Sequence, residues 1–555
     1  MRKLAILLVA TAILSVFMDY EVSSLRAEVS NSTALNGRVV SQEEGMMEGV
    51  LVTARRADAT FTVTVVSDQQ GRYSFPRNNL EPGEYTLRIR AIGYDLDGPA
   101  TVRVTAQKTA ALDLKLRKTQ NLAAQLTSQD WLNSFPGNLE QKTFLLNCVR
   151  CHTLERVAES HHDAEEWLAV YQRMGTYYGE GSARRPQILK QREGGGFGDP
   201  ERLRKQAEYM STISLSTVEK WTYPLKTLPR PTGRATHVII TEYDLPREDS
   251  VPHDLIVDSK GQVWYADGGW MYVGKLDPKT AKVTEYPIPG FKPENPVGME
   301  DVELDKNGNL WIAIMNQGNK FMKFNTKTMK PTFWDMPADT TDANRLAFVA
   351  SYNLDVDGKV WATDDKEVFR LNIASGQVDN FKPFQNMPGG ARGHSIYQIT
   401  SDSHNDCYFL EFTGGGVGEI NAKTGDMKFY PTPTPNSYSR RGNMDSQDHL
   451  WFGEFYGNRI GMFDTHDKSF KEWEVPNPWT APYAAGVAKN GDVWASGITS
   501  DRVQRLDPKT GQIVEYLLPR YTDARKLSVD ESSGQSTLWI PNKNSASLIK
   551  LQPIN

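Results

Sequence analysis

The sequence predicts a multidomain, mainly β chain: a small β-sandwich over about 34–118, a short α-helical domain over 123–225, and a seven-bladed β-propeller over 236–555. Three observations carry this prediction. An aromatic residue recurs at Trp264, Trp311, Trp361, Tyr408, Trp451, Trp494 and Trp539, at intervals of 43 to 50 residues. Short alternating strands broken by Gly, Pro and Asp fill 34–118, and helical spacing is confined to the stretch between. The 13 Trp, 43 Gly and 30 Pro suit a turn-rich β protein.

The long repeat is the strongest signal. A turn precedes most of its aromatics, in DSKGQVW, DKNGNLW, DVDGKVW, DSQDHLW and KNGDVW. A strand and a second turn follow, as in VGKLDPKTAKVTEYPIP, VGEINAKTGDMKFYPTP and VQRLDPKTGQIVEYLLP. Four short strands in a period of this size make one propeller blade. The last repeat ends at SLIKLQPIN, one strand short, while His237–Pro246 (HVIITEYDLP) precedes the first and matches the outer strand VTEYPIP. That strand is expected to complete the last blade, closing the ring and removing an exposed sheet edge.

In the first module, GRVVSQ, GVLVTARR, FTVTVVSDQQGRYSFP, EYTLRIRAIGY and ATVRVTAQ read as strands between turns. Gly71-Arg72-Tyr73-Ser74-Phe75 and Glu81-Pro82-Gly83-Glu84-Tyr85 carry a pattern that resembles the carboxypeptidase regulatory-like domain, a transthyretin-like β-sandwich. The resemblance implies spacing or docking. No acid, base or nucleophile cluster stands in the module.

In the propeller, Trp451–Asp464 (WFGEFYGNRIGMFD) resembles the virginiamycin B (streptogramin) lyase family of seven-bladed propellers. The resemblance implies a metal ion with a histidine general base, the histidines standing at inner-strand positions of adjacent blades with glutamates beside them. His394 with Glu411 matches this in part, as does His253 with Asp267. Ala350 and Arg440 stand where a second histidine is wanted, Glu300 follows His253, and Arg392 replaces an acid.

The chemical signal outside the repeat is Cys148-Val149-Arg150-Cys151-His152, in a chain with three cysteines. Two thiols three apart with a histidine behind them form the attachment motif of c-type haem: each thiol takes one vinyl group, and the imidazole becomes the proximal iron ligand. A zinc site would need a second ligand pair, and no other cysteine pair exists. Trp131, Phe144, Leu145 and EEWLAVYQRM place helices around the motif, whereas EGSARRPQILKQREGGGFGDP is too polar and Gly-rich for an element of its own. For the sixth ligand, Met174 is favoured. Its "W … R-M" setting resembles cytochrome c domains fused to periplasmic quinohaemoprotein-type dehydrogenases. Met210 is the alternative, and His161, His162 or an open position remain. Cys407 is left over, and no disulfide is expected.

Arg2 and Lys3, an apolar run to Phe17 and a polar stretch to Ala27 read as a signal peptide over 1–27. A periplasmic or secreted protein is expected, not an integral membrane protein after processing. The 63 basic and 68 acidic residues, net −5, leave no polybasic footprint, so nucleic acid is not an expected partner.

Two positions per repeat are expected to face the propeller funnel. Eleven residues before the aromatic, with three more allowed in the fourth and seventh repeats, stand His253, Glu300, Ala350, His394, Arg440, Tyr483 and Arg525. Three after it stand Asp267, Ile314, Asp364, Glu411, Glu454, Gly497 and Asn542. Arg440, Arg441 and Arg525 point to an anionic small-molecule ligand held by forked hydrogen bonds. Mg²⁺ or Ca²⁺ is the expected ion if the propeller uses one. The leading expectation is a periplasmic haem-linked oxidoreductase, with an electron-transfer partner, whose propeller binds the substrate. A metal-dependent C–O lyase with an accessory haem and a non-catalytic docking protein are the alternatives.

Overall fold

The computed structural model describes residues 32–189, 198–318, 320–337, 348–350, 353–532 and 534–554. The expected signal segment, part of the Gly-rich stretch and the side chain of Arg392 lie outside the described residues. The chain forms two compact units. One holds the residues up to Gln120 with Arg230–Thr241; the other holds Asn121–Pro229 and Glu242–Pro553.

The first unit is a β-sandwich. Thr33–Ser41 pairs antiparallel with Arg72–Pro76 and parallel with Leu114–Lys118. Leu51–Arg56 lies between Phe61–Val66 and Gly83–Arg90. Alternation along these strands turns Val39, Val52, Val63, Phe75, Leu87 and Leu114 into one apolar core. The backbone crowds at Gly37, where a Cβ would meet the Leu112 carbonyl oxygen at 1.8 Å, so only glycine fits.

In the second unit, propeller-like sheets follow one another along the chain. The first consists of Pro252–Val257, Val263–Asp267, Tyr272–Asp277 and Lys282–Pro287, in that order and antiparallel. Four-strand sheets of the same order span 299–335, 348–381, 396–431, 439–474 and 482–517. The final stretch holds Ser528–Asp530, Thr537–Asn542 and Ser547–Pro553. Beside its last strand runs Glu242–Leu245: the Leu245 N–H donates to the Ala546 carbonyl and the Ser547 hydroxyl to the Glu242 carboxylate.

The repeat builds these sheets through two local devices. The turn aspartate accepts backbone N–H groups of its own turn and the indole N–H six residues on, in Asp258–Trp264 (2.9 Å), Asp305–Trp311 (3.2 Å) and Asp445–Trp451 (2.9 Å). The residue after the aromatic then lays its ring over a cross-strand glycine: Tyr265 on Gly274, Phe409 on Gly418 and Phe452 on Gly461. A Cβ on these glycines would come within 2.0, 1.8 and 2.6 Å of ring atoms.

Three of the helices described in 121–229 begin at capping boxes, which satisfy first-turn N–H groups. Thr127 with Asp130 starts Ser128–Ser134, Asn138 with Gln141 starts Leu139–Leu145, and Asp163 with Glu166 starts Ala164–Gly175. Pro200–Ile213 starts at Asp199 with proline in its first turn. Trp131 packs against Phe135 and Trp221, and Phe144 against Tyr171. Gln129 ties this segment to the propeller: its N–H reaches the Thr499 carbonyl and its amide reaches the Pro478 carbonyl. Among the described residues no helix is long and apolar enough to cross a membrane.

Candidate functional site

Cys148–Arg150 forms a single 3₁₀ turn at the end of the Leu139–Leu145 helix. Beside it opens a cavity of about 710 Å³, lined by Cys148, Cys151, His152, Trp167, Tyr171, Met174 and Met210 among others. Burial pushes the Cys148 thiol up to about 12, with Cys151 adding to the effect. Burial also lowers the His152 imidazole below its ordinary value, which favours the neutral ring. Its Nδ1 lies 2.9 Å from the Thr153 carbonyl. A carbonyl only accepts, so Nδ1 carries the hydrogen and Nε2 keeps its lone pair, the arrangement a metal-ligating histidine uses. The Met210 sulfur accepts from the Tyr171 hydroxyl at 2.6 Å, while Met174 lines the same cavity half-buried. His161 bonds the Leu215 carbonyl and His162 stands edge-on to Trp167; neither lines the cavity. Two thiols, a neutral imidazole with a free nitrogen and a thioether make a donor set that fits a covalently held haem.

The polar stretch that follows the Ala164–Gly175 helix is described through Leu189 and forms a loop. The bridge Tyr177–Ile188 closes it at the base. From there it docks on the propeller at separate points. Arg185 stacks on Trp270 at 3.4 Å, and Gln187 exchanges two hydrogen bonds with Val297 (2.8 and 2.9 Å). At the tip, Glu180 is engaged from both sides. Its carboxylate meets Arg150 of the cysteine motif at 3.1 Å, and on the propeller side Lys543 at 3.0 Å and His253 at 3.1 Å. Burial opposes ionisation, but Lys543 and His253 hold the carboxyl well below its usual range. Lys543 also donates to the carbonyls of Arg150 and Gly179, at 3.1 and 3.4 Å.

The residues expected at the funnel are mostly buried rather than washed by solvent, because the docked loop and their own neighbours cover them. His253 is 1 % exposed. Burial disfavours its charged ring, but Glu300, Asp254 and Glu180 push it up to about 9. Asp254 accepts from His253 Nδ1 and pairs with Arg441, which also meets Asp301; Lys526 joins Asp301 and Glu303. Arg525 pairs with Asp523 at 2.9 Å and lies 3.4 Å from the Tyr483 hydroxyl. Two of the three arginines expected to bind an anion are thus neutralised by protein carboxylates.

Arg440 differs. Among the described residues it makes no salt bridge. Its guanidinium lies over Phe455 at 3.7 Å, with Phe412, Tyr397 and Tyr483 around it. The Tyr397 and Tyr483 hydroxyls are 2.7 Å apart. Burial would raise the Tyr397 phenol, but Arg440 and Arg525 bring it below its usual value.

Three of the positions three after an aromatic, Asp267, Asp364 and Glu411, serve turns. Asp267 accepts from the N–H groups of Val251 and Gly269 and pairs with Arg247; burial raises it to about 6. Glu411 accepts from Ser395, Thr413, Gly414 and Gly415. His394 lies 3.4 Å from Glu411, stacks on Phe384 and bonds the Pro388 carbonyl at 2.9 Å. Asp364 accepts from Lys366 and Glu367, and Asn542 donates to the Tyr521 carbonyl. Glu454 is fully buried beside Glu472; burial first, and Glu472 next, push its carboxyl up to about 9.

The structure thus joins His253, Glu300, Arg440, Tyr483 and Arg525 near the docked loop, and leaves His394, Glu411, Asp267 and Glu454 in turn or core roles. Glu180, Lys543, Asp254 and Tyr397 were absent from the sequence reading. The signal for Glu180 was a lone acid between two glycines, in Gly179-Glu180-Gly181.

Comparison with known proteins agrees with this architecture. Residues 382–552 match the virginiamycin B lyase family and 34–117 match the carboxypeptidase regulatory-like domain. The propeller is therefore virginiamycin B lyase-like, and the N-terminal module carboxypeptidase regulatory-like. A streptogramin B lyase structure superposes with a TM-score of 0.50 at 22 % identity, covering 58 % of this chain and 99 % of the other. A virginiamycin B lyase from Staphylococcus aureus is similar at 23 % identity, TM-score 0.48, over 57 % of this chain and 100 % of its own. A probable peptidyl-alpha-hydroxyglycine alpha-amidating lyase of Caenorhabditis elegans is 32 % identical over 81 residues, which are 14 % of this chain and 23 % of that protein. The chain thus spans about a quarter of the length of this curated relative.

Proposed function

We propose that the chain is an extracytoplasmic c-type haem protein that transfers electrons, with a seven-bladed, lyase-like propeller as its binding platform. One observation carries the reading: the cavity that gathers Cys148, Cys151, His152, Met174 and Met210 on one wall system. Cys148 and Cys151 would hold the group covalently, and His152 Nε2 with the sulfur of Met174, or alternatively of Met210, would be the ligands to its iron. A haem bound there supplies one-electron transfer. The protein's part is to seat it: Thr153 fixes the imidazole tautomer, Trp167, Tyr171 and Phe144 exclude water, and the Glu180 loop anchors the segment on the propeller. Arg440, which has no carboxylate partner among the described residues, supports an anionic small molecule as the propeller's ligand.

The test is expression with a haem-maturation system. An α-band in the reduced spectrum that survives acid-acetone extraction, and is lost in Cys148→Ser/Cys151→Ser, supports the reading; its absence refutes it. Haem reduction by one member of a panel of small acids and alcohols would identify the substrate class. The match of 382–552 to a lyase family supports a second reading, a metal-dependent lyase. Mg²⁺-dependent opening of a streptogramin ring, abolished in His394→Ala, would establish it.

A further inference from the structure

A second set of donor atoms lies outside the cavity, where the Glu180 loop meets the innermost propeller strands. We propose that Glu180, His253 and Glu300 form a binding site for a divalent first-row transition ion of the zinc or manganese class, which pins the loop to the propeller. One ligand atom from each residue lies within 4.8 Å of the others, and all three side chains are buried. His253 Nδ1 donates to Asp254 Oδ1 at 2.6 Å, and Asp254 is held by Arg441. A carboxylate behind the ring is the usual support of a metal-bound histidine, and it turns Nε2 toward the other two ligands.

Nε2 is the telling atom. It stands 3.1 Å from Glu180 Oε2 and 4.0 Å from Glu300 Oε1. It is close enough for an ion pair, yet among the described residues it makes no aligned hydrogen bond. In a tetrahedral site with bonds near 2.1 Å, donor atoms stand about 3.4 Å apart. The Glu180–His253 spacing is already within reach of that, and Glu300 must close by about half an ångström. The ion would take the place of the Nε2 proton, which leaves for solvent, so that two carboxylates and a then-neutral imidazole face the divalent charge. One nitrogen with two oxygens suits zinc or manganese better than the oxygen-only sites of calcium and magnesium. Lys543 can stay: it keeps the carbonyls of Arg150 and Gly179, and a carboxylate oxygen has lone pairs for both the ammonium and the ion. Since Glu180 comes from the helical segment, the propeller alone could not build this site.

The test uses the untagged full-length protein, stripped with chelator and reloaded with Zn²⁺ or Mn²⁺. Haem is measured on the same sample by its spectrum, so haem content and ion content are scored independently. About one ion per chain is expected. Glu300→Gln should weaken binding at least tenfold, and Asp254→Asn by about tenfold through the ring it orients. His253→Gln should abolish binding, but it also alters a buried ion network and can impair folding. Glu300→Gln, close in shape, therefore carries the comparison, with near-ultraviolet circular dichroism confirming the fold. Wild-type protein holding less than about one-tenth of an ion per chain overturns the proposal, as does wild-type affinity in Glu300→Gln.

Discussion

Replacing Glu454 by glutamine should stabilise the protein at neutral pH. The carboxyl ends the strand His449–Glu454 and is fully buried; a Cβ on Gly457 or Gly461 would come within 2.9 or 2.7 Å of its oxygens. Burial, then Glu472, raise it from 4.5 to about 9. The folded protein therefore keeps a proton at pH 7 that the unfolded chain has released. With fewer protons on the unfolded state, stability falls as pH rises from the ordinary carboxyl value toward 9. At about 1.36 kcal/mol per pKa unit, the loss accumulated by pH 7 is about 3 kcal/mol. Glutamine has no proton to release, so Glu454→Gln should exceed wild type by about 3 kcal/mol at pH 7 and by almost nothing near pH 4.5. Urea unfolding of the tryptophan-rich propeller, followed by fluorescence at both pH values, measures this. An equal difference at the two pH values, or a wild type that gains stability on the variant as pH rises, refutes the reasoning.

Three further outcomes are expected. Gly418→Ala places a methyl group into the Phe409 ring and should lower stability by about 3 kcal/mol, read as a shift in the urea midpoint; a shift below about 0.5 kcal/mol counts against ring-over-glycine packing. Lys543→Ala leaves two carbonyls and Glu180 short of a buried cation and should destabilise by about 3 kcal/mol. Trypsin should then cut faster after Arg184, the Arg185–Pro186 bond being resistant; an unchanged digestion pattern argues that the loop is held elsewhere. In the haem-loaded protein, Met174→Leu should lower the reduction potential while Met210→Leu leaves it in place, and the opposite order would reassign the sixth ligand.

The propeller was readable because its repeat is enforced by short-range chemistry. An aspartate six residues before the tryptophan caps a turn and the indole at once, as Asp305 does for Trp311, so spacing and residue type survive together. The glycine after the valine in VGKL and VGEI marks a ring lying across it. The site was less readable. Polarity at Asp267, Glu411 and Glu454 looked like a funnel lining, yet a carboxylate that accepts turn N–H groups, or one that stays protonated in the core, has the same letter in the sequence. Glu180 meets His253 and Lys543 across 73 and 363 residues, contacts with no period to announce them. Arg441 and Arg525 likewise looked like ligand-binding cations until their acids, Asp254, Asp301 and Asp523, were placed beside them.

The hold of Lys543 on Arg150 also sets an order in time. The two residues are 393 apart, and Arg150 is the residue between the motif's valine and its second cysteine. At about 5–20 residues per second, the lysine is made roughly 20–80 seconds after the motif. Over that interval Cys148 and Cys151 sit on a segment whose last tether does not yet exist. The full hold on the thiols' segment therefore waits until Lys543, in the turn after Thr537–Asn542, is in place.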